Sequence, residues 1–236
     1  MSSSIDVVYE DEWLKIVSKP SNLIVHHSRY ARNLDERSLC QLINETSIEA
    51  TLHPIHRLDR KTSGLIIFAK LKHIIPKFQK LFDTNAIEKS YLALVRGHIH
   101  DNGKLEYPIR ADEETTYKDA ETHYKPLQLI DVDIPVVPYP SSRYTILELT
   151  PKTGRMHQLR KHMNKFSHPI IGDPKYGNRH HNHMFIEELD IGNLFLHAYK
   201  LRFNHPETDE LITISAELPD FWNKALNRFK VNFEVS

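Results

Sequence analysis

His56-Arg57-Leu58-Asp59-Arg60-Lys61-Thr62-Ser63-Gly64 runs directly into Leu65-Ile66-Ile67-Phe68-Ala69. A charged segment thus empties into five consecutive apolar residues, a run of strand length. Gly64 at the junction permits backbone conformations closed to other residues. Within the polar half one carboxylate, Asp59, sits among Arg57, Arg60 and Lys61 and close to His56. Nearby positive charge favours the anion, so Asp59 is expected to stay ionised and available as a nucleophile or general base. A lone Asp in a turn is more often held there by its own neighbours. The density of unusual residues between Pro54 and Gly64 favours the functional reading here.

Other strands are expected on both sides of this block. Val7–Lys19 reads as two strands about an Asp11-Glu12 turn, ending at Pro20. Tyr91–Val95 is a second apolar run, and Tyr144–Leu149 and Phe195–Phe203 alternate with a period near two. Leu211–Ala216 follows the turn-rich Asn204–Asp209 and suggests a hairpin. Helices are expected at Leu39–Glu45, Lys77–Asp83 and Phe221–Phe229. The clearest one spans Arg155–Phe166: Met156, Leu159, Met163 and Phe166 would face a core, with His157, Arg160, Lys161 and Asn164 on the opposite side. Asp131–Ser142, with Pro135, Pro138 and Pro140, is expected to be a loop inserted within one domain. The pattern is that of a strand-rich α+β domain with peripheral helices.

Several classes are excluded or disfavoured. The 236 residues are 40% hydrophobic and 26% charged, an ordinary globular balance, and no run approaches the roughly 20 apolar residues of a membrane helix. The acidic start is unlike a secretory signal. One cysteine, Cys40, rules out an internal disulfide framework and suits a reducing, cytoplasmic setting. No Gly-x-Gly pair, Gly-x-x-x-x-Gly-Lys loop or Gly-x-Ser-x-Gly elbow occurs, so no nucleotide cofactor is expected.

Charge is neutral in total, with 31 basic and 31 acidic residues, but uneven along the chain. Pro151–Gly172 contains no acid and holds Lys152, Arg155, Arg160, Lys161 and Lys165, joined by three histidines. The acids collect elsewhere, as in Asp112-Glu113-Glu114. A basic stretch in a neutral chain fits a local face for a polyanion, although a solvated helix surface has the same composition. Thr153–His162 combines arginines, histidines and a glutamine, types suited to phosphate contacts. Tyr91 taken alone reads as a core or edge tyrosine. Arg179-His180-His181-Asn182-His183 invites a metal, but a solvent loop is the better expectation, and no metal is assigned.

Taken in order, these segments resemble the RluA-type family of pseudouridine synthases. The resemblance is carried by Lys19-Pro20-Ser21, Val25-His26, His56–Gly64, Lys89–Gly97, Thr153–His162, Ile170-Ile171-Gly172-Asp173-Pro174-Lys175-Tyr176-Gly177 and Leu196-His197-Ala198. It covers residues 19–198, and its His-Arg-Leu-Asp and Thr-Gly-Arg-x-His-Gln-Leu-Arg blocks are highly specific together. Asn22 stands where the family has glycine; asparagine tolerates positive φ, so the turn is expected to survive. The resemblance implies a mainly antiparallel mixed sheet core with peripheral helices. It also implies a single catalytic domain over 1–236 with no separate S4-type RNA-binding domain, expected to be a monomer.

The implied activity is isomerisation of uridine to pseudouridine in structured RNA, with no cofactor. The branch of the family resembled most acts on uridine 65 of tRNA. By match to the family, Asp59 is the nucleophile, Arg160 pairs with it, and Tyr91 packs on the target uracil. Arg57 enters the space left by the flipped base, a movement that costs a few kcal/mol. Lys152, Arg155 and Lys161 would hold phosphates, and His56 and Arg60 would line the RNA-binding face. The competing expectations are an rRNA-directed synthase of the same family, a catalytically silent RNA-binding module, and a metal-dependent hydrolase using the histidine segment.

Overall fold

The computed structural model describes residues 5–27, 36–46, 51–111 and 114–235; Met1–Ser4 of the acidic start, and Asp112 and Glu113 of the acidic run, lie outside them. In chain order the elements begin with β1 (Asp6–Glu10), β2 (Leu14–Lys19), α1 (Leu39–Thr46), β3 (His53–Pro54), β4 (Ser63–Ala69), α2 (Ile75–Asp83) and β5 (Glu88–Arg96). They continue with β6 (Gly103–Leu105), β7 (Thr122–Val132), β8 (Ser142–Pro151), α3 (Gln158–Lys165), α4 (Arg179–Leu189), β9 (Leu196–Asn204), β10 (Leu211–Ser215) and α5 (Asp220–Arg228). This is the expected α+β composition. The chain forms two compact units, Met1–Lys89 with Ala198–Ala216, and Ser90–His197 with Glu217–Ser236.

In the first unit β1, β2, β4 and β9 follow one another, β3 pairs with β4, and β10 pairs with β9. The β1–β2, β2–β4 and β9–β10 ladders are antiparallel. All seven residues of β4 are buried, because the strand is covered on both faces. That is why its sequence is continuously apolar rather than alternating. Leu14, Ile16, Leu65, Ile67, Phe78, Leu201 and Phe203 form the core, with Phe78 set edge-on to Phe203. Gly64 has φ +114°, and a Cβ there would lie 2.2 Å from the Ala198 carbonyl oxygen. Only glycine fits that approach. Asn22 adopts φ 67°, the turn conformation expected of it.

In the second unit the strand order is β5, β8, β7, β6, with antiparallel ladders throughout. β7 is not apparent in the sequence. Its outer face carries Lys125, Leu127 and Asp131, and Pro126 interrupts it. A bulge between Pro126 and Gln128 absorbs the missing donor. Residues 133–141 join β7 to β8 as the connection of one hairpin, so the proline-rich stretch is an insertion within a unit. Part of the core is aromatic: Phe185 and Trp222 pack edge-on against Phe195, and Phe229 stacks on Tyr144.

Three expectations are corrected in this unit. α3 begins at Gln158 rather than Arg155, because His157 is left-handed at φ 56° and breaks the helical path. Met156 therefore falls before the helix and is 44% exposed instead of core-facing. Arg160, expected on the polar face, is only 6% exposed, because a buried carboxylate meets it. The histidine segment is helix, not solvent loop. Asn178 caps α4 by accepting from the His180 and His181 amides, and His181, Met184, Phe185 and Leu189 are buried at helical spacing.

Candidate active site

The residues singled out in the sequence divide between the units, with His56, Arg57, Asp59 and Arg60 in the first and Tyr91, Lys152, Arg155, Arg160 and Lys161 in the second. Asp59 is half-buried in the turn between buried Leu58 and β4, where its carbonyl accepts from Thr62 N at 3.1 Å. The turn is braced from β2. Lys19, fully buried, donates from Nζ to the carbonyls of Pro20 and Leu23 at 2.8 Å and of Arg60 at 3.1 Å. Three carbonyls match the three N–H groups of an ammonium. Burial pulls the Lys19 ammonium down to about 7, opposed by the charge of Asp59 and helped by that of Arg60. Ser21 Oγ donates to the Lys61 carbonyl at 2.8 Å.

Arg57 is exposed. Arg60 donates from Nε to Asn22 O at 3.2 Å, and its Nη2 lies 2.9 and 2.8 Å from the two carboxylate oxygens of Glu36. His56 is turned inward: Nε2 accepts from Ile67 N at 3.1 Å, and the ring tilts against Phe82. Burial, with the charge of Lys89, pushes His56 down to about 3, so the ring is neutral at physiological pH. This histidine ties the Asp59 segment to the middle of β4.

In the second unit Tyr91 is half-buried on β5, opposite Leu149. Arg160 grips buried Asp173 side-on, Nε to Oδ2 at 2.7 Å and Nη2 to Oδ1 at 2.9 Å. The Tyr176 ring lies under the guanidinium, 5.1 Å from Cζ to centroid. Burial raises the Asp173 carboxyl, but Arg160 and the Tyr176 and Lys175 amides outweigh it and hold it below the usual carboxylate value. His157 Nδ1 lies 3.1 Å from the Tyr176 hydroxyl.

Two of the cations expected to meet phosphate, Arg155 and Lys161, also hold the protein's own backbone. Arg155 donates from Nε to Asp119 O at 3.0 Å, and Lys161 donates from Nζ to Arg110 O at 2.8 Å. Lys152 is half-buried, its backbone N donating to Glu121 O. Gln158 accepts from Thr153 Oγ1 and Arg155 N, and donates from Nε2 to Glu121 O and Thr122 Oγ1. His162 Nε2 donates to Tyr107 O at 2.9 Å, and Nδ1 meets Thr122 Oγ1 at 3.0 Å. Its burial lowers the imidazole's proton affinity.

Lys19, Asp173 and Tyr176 carry no catalytic or RNA-binding expectation from the sequence. Nothing local to a Lys-Pro or Gly-Asp-Pro step announces a buried ion. Among the described residues, no group of three or more His, Cys, Asp or Glu is placed to hold a metal ion. His181 instead meets the Tyr144 hydroxyl through Nδ1 at 2.9 Å. No described helix is long and apolar enough to cross a membrane.

Comparison with known proteins gives the following likenesses. The sequence model of the family described as RNA pseudouridylate synthase matches residues 14–165. A Vibrio vulnificus protein named tRNA pseudouridine synthase C is 37% identical, with 96% of each chain covered. A Haemophilus influenzae protein of the same name is 35% identical, covering 95% of this chain and 98% of its own. The solved structure of human RNA pseudouridylate synthase domain containing 4 aligns with TM-score 0.73 at 22% identity, covering 97% of this chain and 94% of that one. That of domain containing 1 aligns with TM-score 0.71 at 23% identity, covering 92% and 84%. At these identities the two human structures bear on the fold alone.

Proposed function

The chain belongs to the RNA pseudouridylate synthase family and is an RNA pseudouridine synthase, an isomerase, and from that premise we propose that it converts uridine 65 of tRNA with Asp59 as nucleophile. The tRNA target rests on near full-length similarity to relatives named tRNA pseudouridine synthase C. The role of Asp59 rests on one observation above all: a half-buried carboxylate in a turn whose backbone is pinned by the buried Lys19 Nζ.

The reaction needs no net oxidation and no co-reactant. The C1′–N1 bond of uridine breaks, the uracil turns, a C1′–C5 bond forms, and the C5 proton leaves to solvent while N1 gains one. Asp59 supplies the carboxylate, attacking C1′ or C6 or assisting departure of the base. Arg160 pairs with Asp59, keeping it ionised and oriented. Tyr91 packs on the uracil and helps remove the C5 proton. Arg57, exposed on the same segment as Asp59, fills the space left by the flipped base. Lys152, Arg155 and Lys161 hold phosphates, with His56 and Arg60 supporting the same face. Catalysis by residues 1–236 as one domain, as a monomer in the cytoplasm, completes the proposal.

The decisive variant is Asp59→Ala. Tritium release from tRNA labelled at C5 of uridine is expected to vanish while tRNA binding by filter assay persists; full activity would refute the assignment. Pseudouridine mapping in RNA from a deletion strain tests the target. Loss at tRNA position 65 is expected, whereas loss in rRNA alone would replace tRNA by rRNA as the substrate.

A further inference from the structure

A buried arginine is useful as a partner for a nucleophile only if its planar fork is held in one orientation. The side chain has several rotatable bonds, and each loose one blurs the direction of its N–H groups. Arg160 sits near the start of α3 with its guanidinium almost wholly removed from solvent. Asp173 takes the Nε and Nη2 edge at 2.7 and 2.9 Å, a bidentate grip that fixes rotation in the plane. Tyr176 covers a face of the same group at 5.1 Å, which fixes tilt. By covalent geometry the edge bearing Nη1 is directed away from Asp173.

The two gripping residues are themselves fixed in one short turn. Asp173 Oδ1 accepts from Lys175 N at 2.9 Å and Tyr176 N at 3.0 Å, closing the turn on its own carboxylate. The Asp173 carbonyl accepts from Gly177 N at 3.1 Å and Asn182 Nδ2 at 2.9 Å, and Asn182 Oδ1 accepts from Gly172 N at 2.8 Å. Asn164 Nδ2 donates to the Tyr176 carbonyl at 2.7 Å, returning the turn to α3. Gly172 has φ +75° with Asn193 O where a Cβ would stand, and a Cβ at Gly177 would lie 2.2 Å from the Asp173 carbonyl oxygen. Neither end of the turn has room for a side chain.

We propose that the Gly172–Gly177 turn is a positioning element for Arg160, with Asp173 gripping one edge of the guanidinium and Tyr176 covering its face, so that the remaining edge is delivered in a single orientation to the catalytic carboxylate. The inference rests on the reading of Arg160 as the partner of Asp59. Asp173 and Tyr176 touch neither substrate nor reacting atoms in this scheme. They act through Arg160.

The test is a double-mutant cycle in single-turnover tritium release from C5-labelled tRNA, using Asp173→Asn, Arg160→Met and the pair together. Asp173→Asn keeps the shape and the turn acceptor but loses the charge and sets an amide against Arg160. Its rate at saturating tRNA is expected to fall at least tenfold, with the tRNA Kd unchanged within twofold. If Asp173 works through Arg160, the double variant is no slower than Arg160→Met alone. Multiplying losses, or a wild-type rate for Asp173→Asn beside a slow Arg160→Met, would overturn the proposal. A wild-type rate for Arg160→Met would instead remove the reading of Arg160 on which it rests. Should Asp173→Asn fail to fold, Tyr176 carries the test. Tyr176→Phe, which keeps the ring, is expected to react at least fivefold faster than Tyr176→Leu, and equal rates would refute the role of the ring.

Discussion

Replacing Lys19 by methionine probes how the nucleophile's turn is held. Methionine has similar length but neither charge nor donors. In the native protein burial brings Lys19 from 10.5 to about 7. Between these values the unfolded chain binds a proton that the folded chain does not, so stability rises with pH across the window. The slope approaches 1.36 kcal/mol per pH unit for one proton. Integrated from pH 7.0 to 9.5, the native protein should gain about 3 kcal/mol relative to Lys19→Met. Three carbonyls orphaned by the variant shift its stability at every pH, on the order of 1–3 kcal/mol each, but that offset cancels from the difference in slope. The measurement is urea unfolding of both proteins at the two pH values. Parallel pH dependences would show that Lys19 does not titrate in this window and that the proposed balance between burial and the charge of Asp59 is wrong.

Two further outcomes follow from the same geometry. Gly64→Ala places a Cβ 2.2 Å from the Ala198 carbonyl at φ +114°, and it should lower stability by about 3 kcal/mol or more in a thermal melt; a loss below roughly 1 kcal/mol would mean that the backbone yields there. Burial, with the charges of Arg96 and His180, pulls His181 from 6.5 to about 4. The unfolded chain therefore binds the extra proton on acidification, stability falls from pH 6.5 towards 4, and His181→Leu should show a shallower fall in denaturant titrations.

How much of this was legible in the sequence depended on whether a residue's surroundings are local. β4 was readable because burial on both faces leaves an uninterrupted apolar run. β7 was not, because its exposed side is charged and its proline is accommodated by a bulge that only pairing reveals. α4 was hidden by its histidines, whose composition suggests solvent or metal, while the N-cap at Asn178 was the signal that would have found it. In the candidate site, Asp59 stood out through its neighbours in the chain. Asp173 lies 13 residues from Arg160, and no periodicity connects a turn carboxylate to a helical cation at that distance. The inward turn of His56 is equally non-local, since its partner is a backbone amide that carries no sequence signal.

The contacts around Gln158 and His162 have a direction. Glu121 N–H points to Thr153, the Thr153 hydroxyl to Gln158, the Gln158 amide to Thr122 and a carbonyl, and the Thr122 hydroxyl to His162, whose other nitrogen gives its proton to Tyr107 O. Every hydroxyl and amide in the relay is used in one sense only, because both terminal backbone groups have fixed polarity. Gln158→Glu would keep the shape yet set oxygen against oxygen at Glu121. A proton added to His162 would turn Nδ1 from acceptor to donor and send the mismatch back along the line. What this neighbourhood demands at 158 and 162 is an order of donors and acceptors, so the segment that looks in sequence like a store of positive charge is here a one-way wire.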